Sequence, residues 1–241
     1  ATAAVDSVVG SITDITTVYG NAGGAGVANK ISGIADEPIT VTGTATVDQI
    51  NVLADGTSPV TSAVITATIS DGSSTELATL ASTGNALSVT ITDTAVTAAN
   101  LRTINLATTV AVDMSAVTSV SGTMAHLTDS YATNVAGFTG IGNEALTASD
   151  ATITIDNANL LSGYTTGLAT ATIADSTKAQ LDVLTSSSNA YAIKVTDASI
   201  AASDLNAINA KTTGVVTVDA TAITGALSDV KALYEANVAG T

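Results

Sequence analysis

Short segments in which apolar residues alternate with threonine recur along the chain. Successive strand residues point to opposite sides of a sheet, so this pattern predicts β-strands with one apolar and one threonine-rich face. Neighbouring segments are mostly about 20 to 26 residues apart. The eight segments are 39–42, 64–69, 89–92, 110–112, 152–155, 170–173, 193–196 and 216–218.

Between these segments, apolar residues recur at intervals of three positions, which predicts helices of two or three turns that each bury one stripe. Residues typical of helix N-caps precede several of them: Ser73 or Ser74, Thr97, Asp175 or Ser176, and Ser203. The apolar sets are Ile12-Ile15-Val18, Ile50-Leu53, Leu77-Leu80, Leu101-Ile104, Leu181-Leu184, Leu205-Ile208 and Leu227-Val230-Leu233.

A longer period of about 106 residues contains the short one. Val5-Asp6, Val112-Asp113 and Val218-Asp219 each open a similar run of apolar spacing. Each run leads to a helical segment that ends in a tyrosine and a glycine-containing loop, at Tyr19, Tyr131 and Tyr234. We therefore expect the three tyrosines to pack in the same way, each sealing the layer beneath its loop.

Together the two periods predict an α/β repeat fold, a parallel β/α solenoid of about nine short strand–helix turns with a superrepeat of about 106 residues. The predicted domains are 1–38, a partial repeat and Gly-rich connection, 39–137, a first four-turn superrepeat, and 138–241, a second one that ends in a partial junction. So short a turn cannot bury its apolar face alone, and each end needs a cap or another copy. The alternative fold is a compact α/β globule with a mixed sheet.

Composition limits both the core and the partners. Apolar residues make up 46% of the chain, but Phe138 is the single phenylalanine and tryptophan is absent, so the core must be thin. A net charge of -15 has the wrong sign for neutralising phosphates, which argues against nucleic-acid binding. The chain lacks cysteine, which excludes disulfides and thiolate chemistry, and it has no apolar run long enough to span a membrane.

An aspartate closes nearly every predicted strand. We favour carboxylates that accept backbone N–H groups at the turn into the helix, as Asx-turns or N-caps. The alternative is a ladder of carboxylates that binds Ca²⁺, with Asp71, Asp93, Asp175 and Asp197 as candidate ligands. No EF-hand loop or calcium-binding nonapeptide is present, so we predict no cofactor other than this calcium alternative. The aspartates are Asp6, Asp71, Asp93, Asp113, Asp156, Asp175, Asp197 and Asp219.

No catalytic residue emerges from the sequence, and we expect that the protein is not an enzyme. His126 is the single histidine, and without a second imidazole or a cysteine it cannot build the usual zinc site or nucleophile–base pair. The Gly-rich stretch 20–26 lacks the Gly-Lys-Ser/Thr ending of a phosphate-binding loop and predicts a connection. An enzyme, such as a solenoid of the polysaccharide-lyase kind, is the weakest of the three functions that we consider. Such sites usually need Lys or Arg beside carboxylates in a groove, and the six basic residues of this chain are scattered.

Several phrases resemble the Ala/Thr/Asp-rich repeats of very large secreted bacterial proteins, including cyanobacterial surface proteins. They are Val195-Thr196-Asp197-Ala198, Asp204-Leu205-Asn206-Ala207-Ile208 and Thr212-Thr213-Gly214-Val215-Val216. The resemblance implies an extracellular, structural or adhesive role. It transfers no functional residue to this chain.

The function we expect is that of a structural repeat module of an extracellular filament, surface layer or giant adhesin, whose open solenoid ends join copies head to tail. The alternative is an ice- or surface-binding solenoid that uses the Thr-x-Thr files, with or without calcium. The third copy of the junction stops with the chain, which suggests a window on a longer array or an end completed by the next subunit. Candidate joint residues are Ala3, Val5, Asp6, Tyr234, Asn237 and Val238.

Overall fold

The computed structural model describes residues 5–20, 34, 37–54, 63–81 and 83–238. These residues form fourteen short strands and nine α-helices, and the helices lie between strands in sequence. The strand pairings within each part of the molecule are parallel. The predicted α/β class with parallel strands and intervening helices is confirmed at this level.

In chain order the strands are β1 (Val8–Gly10), β2 (Ile39–Ala45), β3 (Ile65–Ile69), β4 (Ala86–Ser88), β5 (Ala95–Thr97), β6 (Val112–Asp113), β7 (Ser119–Gly122), β8 (Phe138–Thr139), β9 (Ala145–Ala148), β10 (Ala169–Thr172), β11 (Ala190–Val195), β12 (Ser199–Ala201), β13 (Val216–Val218) and β14 (Ala222–Thr224). The helices are α1 (Ile12–Gly20), α2 (Val47–Ala54), α3 (Ser74–Leu77), α4 (Ala98–Ala107), α5 (Met124–Thr128), α6 (Ile155–Gly163), α7 (Lys178–Leu181), α8 (Ala202–Asn209) and α9 (Leu227–Val238).

The chain divides into two compact units, which the contacts define. The first unit comprises Ala1–Val117 and Asn134–Ile141, and the second comprises Thr118–Thr133 and Gly142–Thr241. In the first unit the strand order is β1-β2-β3-β4, with β6 and β8 paired separately. In the second unit β13, β11, β10, β9 and β7 follow one another, with β12 and β14 paired separately. None of these sheets closes on itself.

Alternating burial along the strands explains why these sequences fold as they do. In β3, Ile65, Ala67 and Ile69 are buried while Thr66 and Thr68 are exposed, as the period of two requires. Helices α2 to α8 each contribute buried residues to the core of their own unit, and several of these side chains, such as Ile50, Leu101 and Leu161, are completely enclosed. The core is therefore a thin layer of aliphatic side chains between strands and helices.

Matching positions of the two units up to Asp113 and Thr217 lie 104 residues apart. Thr90 bridges to Asp113 in the first unit, and Lys194 pairs with Thr217 in the second. The structural counterpart of Val112-Asp113 is therefore Val216-Thr217, and the prediction that Val218-Asp219 is its counterpart is wrong. The chain has two more residues between Thr212 and Val218 than between Thr108 and Val112, which moves the Val-Asp pair without moving the strand.

Some local predictions also need correction. The segment 152–155 is not a strand, because Thr154 accepts the N–H of Asn157 and caps helix α6, which begins at Ile155. Thr97 is an N-cap as predicted, whereas Ser203 lies inside α8. Many repeats also contain a second three- or four-residue strand, such as β12 and β14, that the sequence pattern did not indicate.

Candidate assembly interface

Aspartate carboxylates connect the start of a helix to the repeat that follows it. Asp93 Oδ2 accepts the backbone N–H and the hydroxyl of Ser74, both at 2.7 Å, and Asp197 Oδ2 accepts the N–H of Lys178 at 2.6 Å. Ser74 and Lys178 are the first residues of α3 and α7. The hydroxyl and N–H of Ser74 hold the pKa of Asp93 below its ordinary value.

Two further carboxylates have the same role. Asp71 Oδ2 accepts the N–H of Val47 at 2.5 Å, and Asp150 Oδ2 accepts the N–H of Met124 at 2.7 Å. Asp71 accepts a helix N–H group, but the donor belongs to the preceding repeat, so the predicted Asx-turn or N-cap at the start of the helix that follows the aspartate is wrong for this residue. A contact of this kind links repeats 19 to 26 residues apart in sequence.

The fourth candidate metal ligand has a cationic partner. Lys194 Nζ lies 3.2 Å from Asp175 and 2.9 Å from Asp219, and hydrogen bonds to Asp219 and Asp175 raise the pKa of this lysine. Among the residues that the structure describes, no three His, Cys, Asp or Glu side chains gather into a set that could hold a metal ion.

A second set of side chain bonds was not anticipated from the sequence. Asn85 and Asn189 accept the N–H groups of Ile65 and Ala169 at 2.8 and 2.9 Å. Thr108 and Thr212 each accept the N–H and donate to the carbonyl of one strand residue, Leu87 and Tyr191 respectively. All four polar residues are buried, and each unit has one Asn and one Thr at matching positions. We call these four residues the amide–hydroxyl ladder.

The ladder satisfies backbone groups at strand ends that would otherwise be buried without partners. Asparagine and threonine also occur in ordinary loops, so their type alone does not identify them. Their recurrence 104 residues apart, just before an apolar strand, is the signal that could have found them.

Tyr131 follows α5 in sequence and is buried in a cluster with Glu144 and Tyr164. Its hydroxyl donates to Glu144 Oε2 at 3.1 Å, and the N–H groups of Gly142 and Asn143 donate to the same oxygen. Its ring stacks on Tyr164 with the centroids 6.2 Å apart. Burial and the negative charge of Glu144 raise the pKa of Tyr131. The cover over Tyr131 therefore comes from residues that follow it in the second unit.

Two of the three junction tyrosines are buried. Tyr19 is buried and donates its hydroxyl to the carbonyl of Ile34 at 2.9 Å, and Tyr131 is equally buried. Tyr234 is 66% exposed. The expectation that all three are sealed in the same way is thus wrong for Tyr234.

The exposure of Tyr234 extends over the whole last repeat. From 213 to 236, no residue is buried, although β13, β14 and α9 all form. Ile223 is 44% exposed and Leu227 84% exposed, whereas their counterparts at an offset of 103 residues, Val120 and Met124, are 1% and 6% exposed. We call the surface formed by β13, β14 and α9 the terminal face.

The terminal face also has a concave part with a volume of about 250 Å³. Its walls are mostly apolar, and they belong to α8, β13, β14 and α9. The residues that define it include Leu205, Asn209, Val216, Val218, Ile223 and Tyr234.

The predicted joint residues lie in both units. Val5 and Asp6 are exposed in the first unit, and Tyr234 is exposed on the terminal face. Asn237 and Val238 belong to α9. Ala3 lies outside the described residues, as does the Gly-rich connection beyond Gly20. The sequence missed Ile223 and Leu227, which are the counterparts of core residues and gave no sign of exposure.

The predicted threonine files are short. Thr40 pairs with Thr66, but Val9 and Ala86 flank this pair on the adjacent strands. A register shift then places Thr44, and not Thr42, opposite Thr68. In the second unit Thr154 serves as a helix cap. The regular lattice of threonines expected of an ice-binding face is therefore interrupted.

No protein-family model, curated protein or solved structure matches the chain. Among the helices within the described ranges, none combines the length and apolar character that a bilayer span requires. The residues and contacts above are thus the basis for any functional assignment.

Proposed function

We propose that this chain is a structural repeat module of an extracellular filament, surface layer or giant surface protein of the secreted bacterial type. In this proposal the strand–helix repeats form a parallel β/α solenoid of about nine turns, and copies join head to tail through its open ends. The proposal assigns no catalytic residue and no cofactor to the chain. Its partners are further copies of the same repeat.

The contacts between successive repeats support a solenoid. Parallel pairing, the aspartate contacts and the amide–hydroxyl ladder all join one repeat to the next along the sequence. The repeats before residue 213 bury apolar side chains against their neighbours, as expected of repeat proteins in which stability is the sum of nearest-neighbour interfaces.

The observation that carries the assembly proposal is the terminal face. Ile223, Leu227 and Tyr234 expose side chains of the kind that the preceding repeats bury. Exposed apolar patches with a concave part are typical of interaction sites. β13 and β14 each lie at the edge of their sheet, and an edge strand is a template for a further strand.

Charge is expected to modulate the joint. Every copy carries a net charge of -15, so like copies repel one another at low ionic strength. We expect assembly to be promoted by salt, because screening weakens the repulsion and leaves the apolar contact in place.

The test is a concentration series of the purified chain, followed by sedimentation velocity and electron microscopy. The proposal predicts fibres or arrays in the unmodified protein and their loss in Leu227→Lys, which places a charge on the terminal face. Leu160→Lys is the matched control, because Leu160 is also exposed but lies on α6. Discrete monomers at all concentrations and salt conditions would contradict the proposal.

A further inference from the structure

Three strand–helix segments of the chain share one spacing of apolar residues, glycine and tyrosine. An apolar strand residue is followed at +2 by glycine, at +4 and +7 by apolar helix residues and at +11 by tyrosine. We call each segment a tyrosine turn. The three are Val8-Gly10-Ile12-Ile15-Tyr19, Val120-Gly122-Met124-Leu127-Tyr131 and Ile223-Gly225-Leu227-Val230-Tyr234.

The first two tyrosine turns are covered by the same kind of strand in the same register. Val8 pairs with Ile39, and Gly10 with Val41. In the second unit, Val120 pairs with Leu146, and Gly122 with Ala148. Both covering strands have a threonine between the two apolar partners and a glutamate two residues before the first one, at Glu37 and Glu144.

The third tyrosine turn has no covering strand of this kind within the described residues. β14 pairs with β12 on one side. Ile223, Leu227 and Tyr234 remain exposed on the other side, where the second tyrosine turn meets β9 and α6. Two of the tyrosine turns therefore pack against a covering strand, β2 or β9, and the third is exposed.

We propose that the third tyrosine turn of one copy binds the β2–α2 layer of a second copy and takes the place of that copy's first tyrosine turn. Ile223 then lies opposite Ile39 of the second copy, and Gly225 lies opposite Val41. This inference rests on the proposed head-to-tail assembly and specifies its joint. It is a domain exchange, in which one sequence element replaces its equivalent in a neighbour.

The β2–α2 layer of a second copy is the occupant that the internal repeats favour. Among the described residues two strands cover a tyrosine turn, and β9 begins 14 residues after its tyrosine whereas β2 begins 20 residues after its own. β2 instead pairs with a three-residue strand, β1, which is an edge of its sheet. Because the exchange replaces one set of contacts by a similar set, the joint should depend strongly on protein concentration.

The decisive experiment locks the first tyrosine turn onto β2 with a disulfide. Val9 and Thr40 are register partners on neighbouring parallel strands, and such strands are about 4.8 Å apart, which a disulfide can bridge. The native chain has no cysteine, so Val9→Cys with Thr40→Cys introduces one defined pair. We expect the oxidised variant to lose elongation and the reduced variant to recover it.

The control disulfide joins two strands that the exchange leaves in place. Thr66 and Ala86 are register partners of β3 and β4, so Thr66→Cys with Ala86→Cys staples the same sheet elsewhere. Its oxidised and reduced forms should elongate equally. In a separate variant, Thr224→Cys with Thr40→Cys should give a covalent ladder of multimers on a non-reducing gel, because the proposed joint places these two positions of neighbouring copies opposite each other.

The results of these crosslinking experiments distinguish the proposed domain exchange from head-to-tail assembly in general. If the oxidised Val9–Thr40 variant still elongates, and Thr224→Cys crosslinks to Val9→Cys but not to Thr40→Cys, copies stack without exchange. That result overturns this inference and leaves head-to-tail assembly in place. If the unmodified chain forms no multimers under any condition, the proposed function and the inference both fail.

Discussion

Tyr131 and Tyr234 occupy the same position in two tyrosine turns of one unit, but only Tyr131 is buried. The helix that leads to Tyr131, α5, has five residues, and α9, which contains Tyr234, has twelve. The longer helix nevertheless leaves Leu227 and Tyr234 exposed. Burial in this protein therefore depends on the following repeat and not on the length of the helix itself.

Tyrosine-to-alanine substitutions should show the largest difference between the two turns. Tyr131→Ala removes a stacked, buried ring and is expected to lower the free energy of unfolding by about 3–5 kcal/mol. Tyr234→Ala should change it by less than about 1 kcal/mol, because the ring is already exposed. Urea denaturation followed by circular dichroism measures both. Equal losses would mean that Tyr234 is covered in solution.

Substitution of Glu144 tests whether the hydrogen bonds around Tyr131 contribute to the free energy of unfolding. Glu144→Leu removes the acceptor of the Tyr131 hydroxyl and of two N–H groups, so we expect a loss of about 3 kcal/mol. Glu235→Leu, on exposed α9, is the control and should change stability by about 0.5 kcal/mol or less. A neutral Glu144→Leu variant would show that packing alone holds Tyr131.

The amide–hydroxyl ladder allows a comparison between units. Thr108→Val and Thr212→Val each leave a buried N–H and a carbonyl without their hydroxyl partner, at an expected cost of about 2 kcal/mol. Thr217→Val, in the last repeat, should cost less than about 0.5 kcal/mol, since valine suits a strand and this hydroxyl is half-buried. The unfolding free energies of the three variants check the order.

Sequence patterning predicted the parallel α/β class because long strands such as β2 and β3 alternate clearly between apolar and threonine residues. The pattern missed β12 and β14, because strands of only three residues, Ser-Ile-Ala and Ala-Ile-Thr, are too short to show a period of two. The pattern also predicted segment 152–155 as a strand, where a threonine hydroxyl at the helix start overrode the alternation.

The candidate interface was predicted only in outline. The three tyrosines were found because their spacing recurs, yet spacing fixes the position of a side chain along a repeat and not the neighbour that covers it. Leu227 has the same pattern as the buried Met124, so no local signal distinguishes them. Aspartates were recognised as acceptors, but the donors to Asp71, Asp93 and Asp197 lie in another repeat and are remote in sequence.

The smallest expected effect concerns Asp93 and is dependent on pH. Its lowered pKa means that its stabilisation is complete above the ordinary value of 3.8 and is lost as the pH falls below that value. Asp93→Ala should cost about 1 kcal/mol at pH 7, and the difference from the unmodified protein should shrink below about pH 3.8. Asp219→Ala, in an exposed ion pair, is the control and should have little effect.

The alternation of asparagine and threonine in the ladder has a consequence for how such genes can change length. Asn85 and Thr108 serve successive strands, and Asn189 and Thr212 repeat the same order. Recombination that adds or deletes a whole long period keeps every acceptor opposite its usual strand. Gain or loss of a single short repeat would instead place an asparagine at a position where a threonine hydroxyl normally bonds the strand. We therefore expect selection to favour length variants that differ by whole long periods.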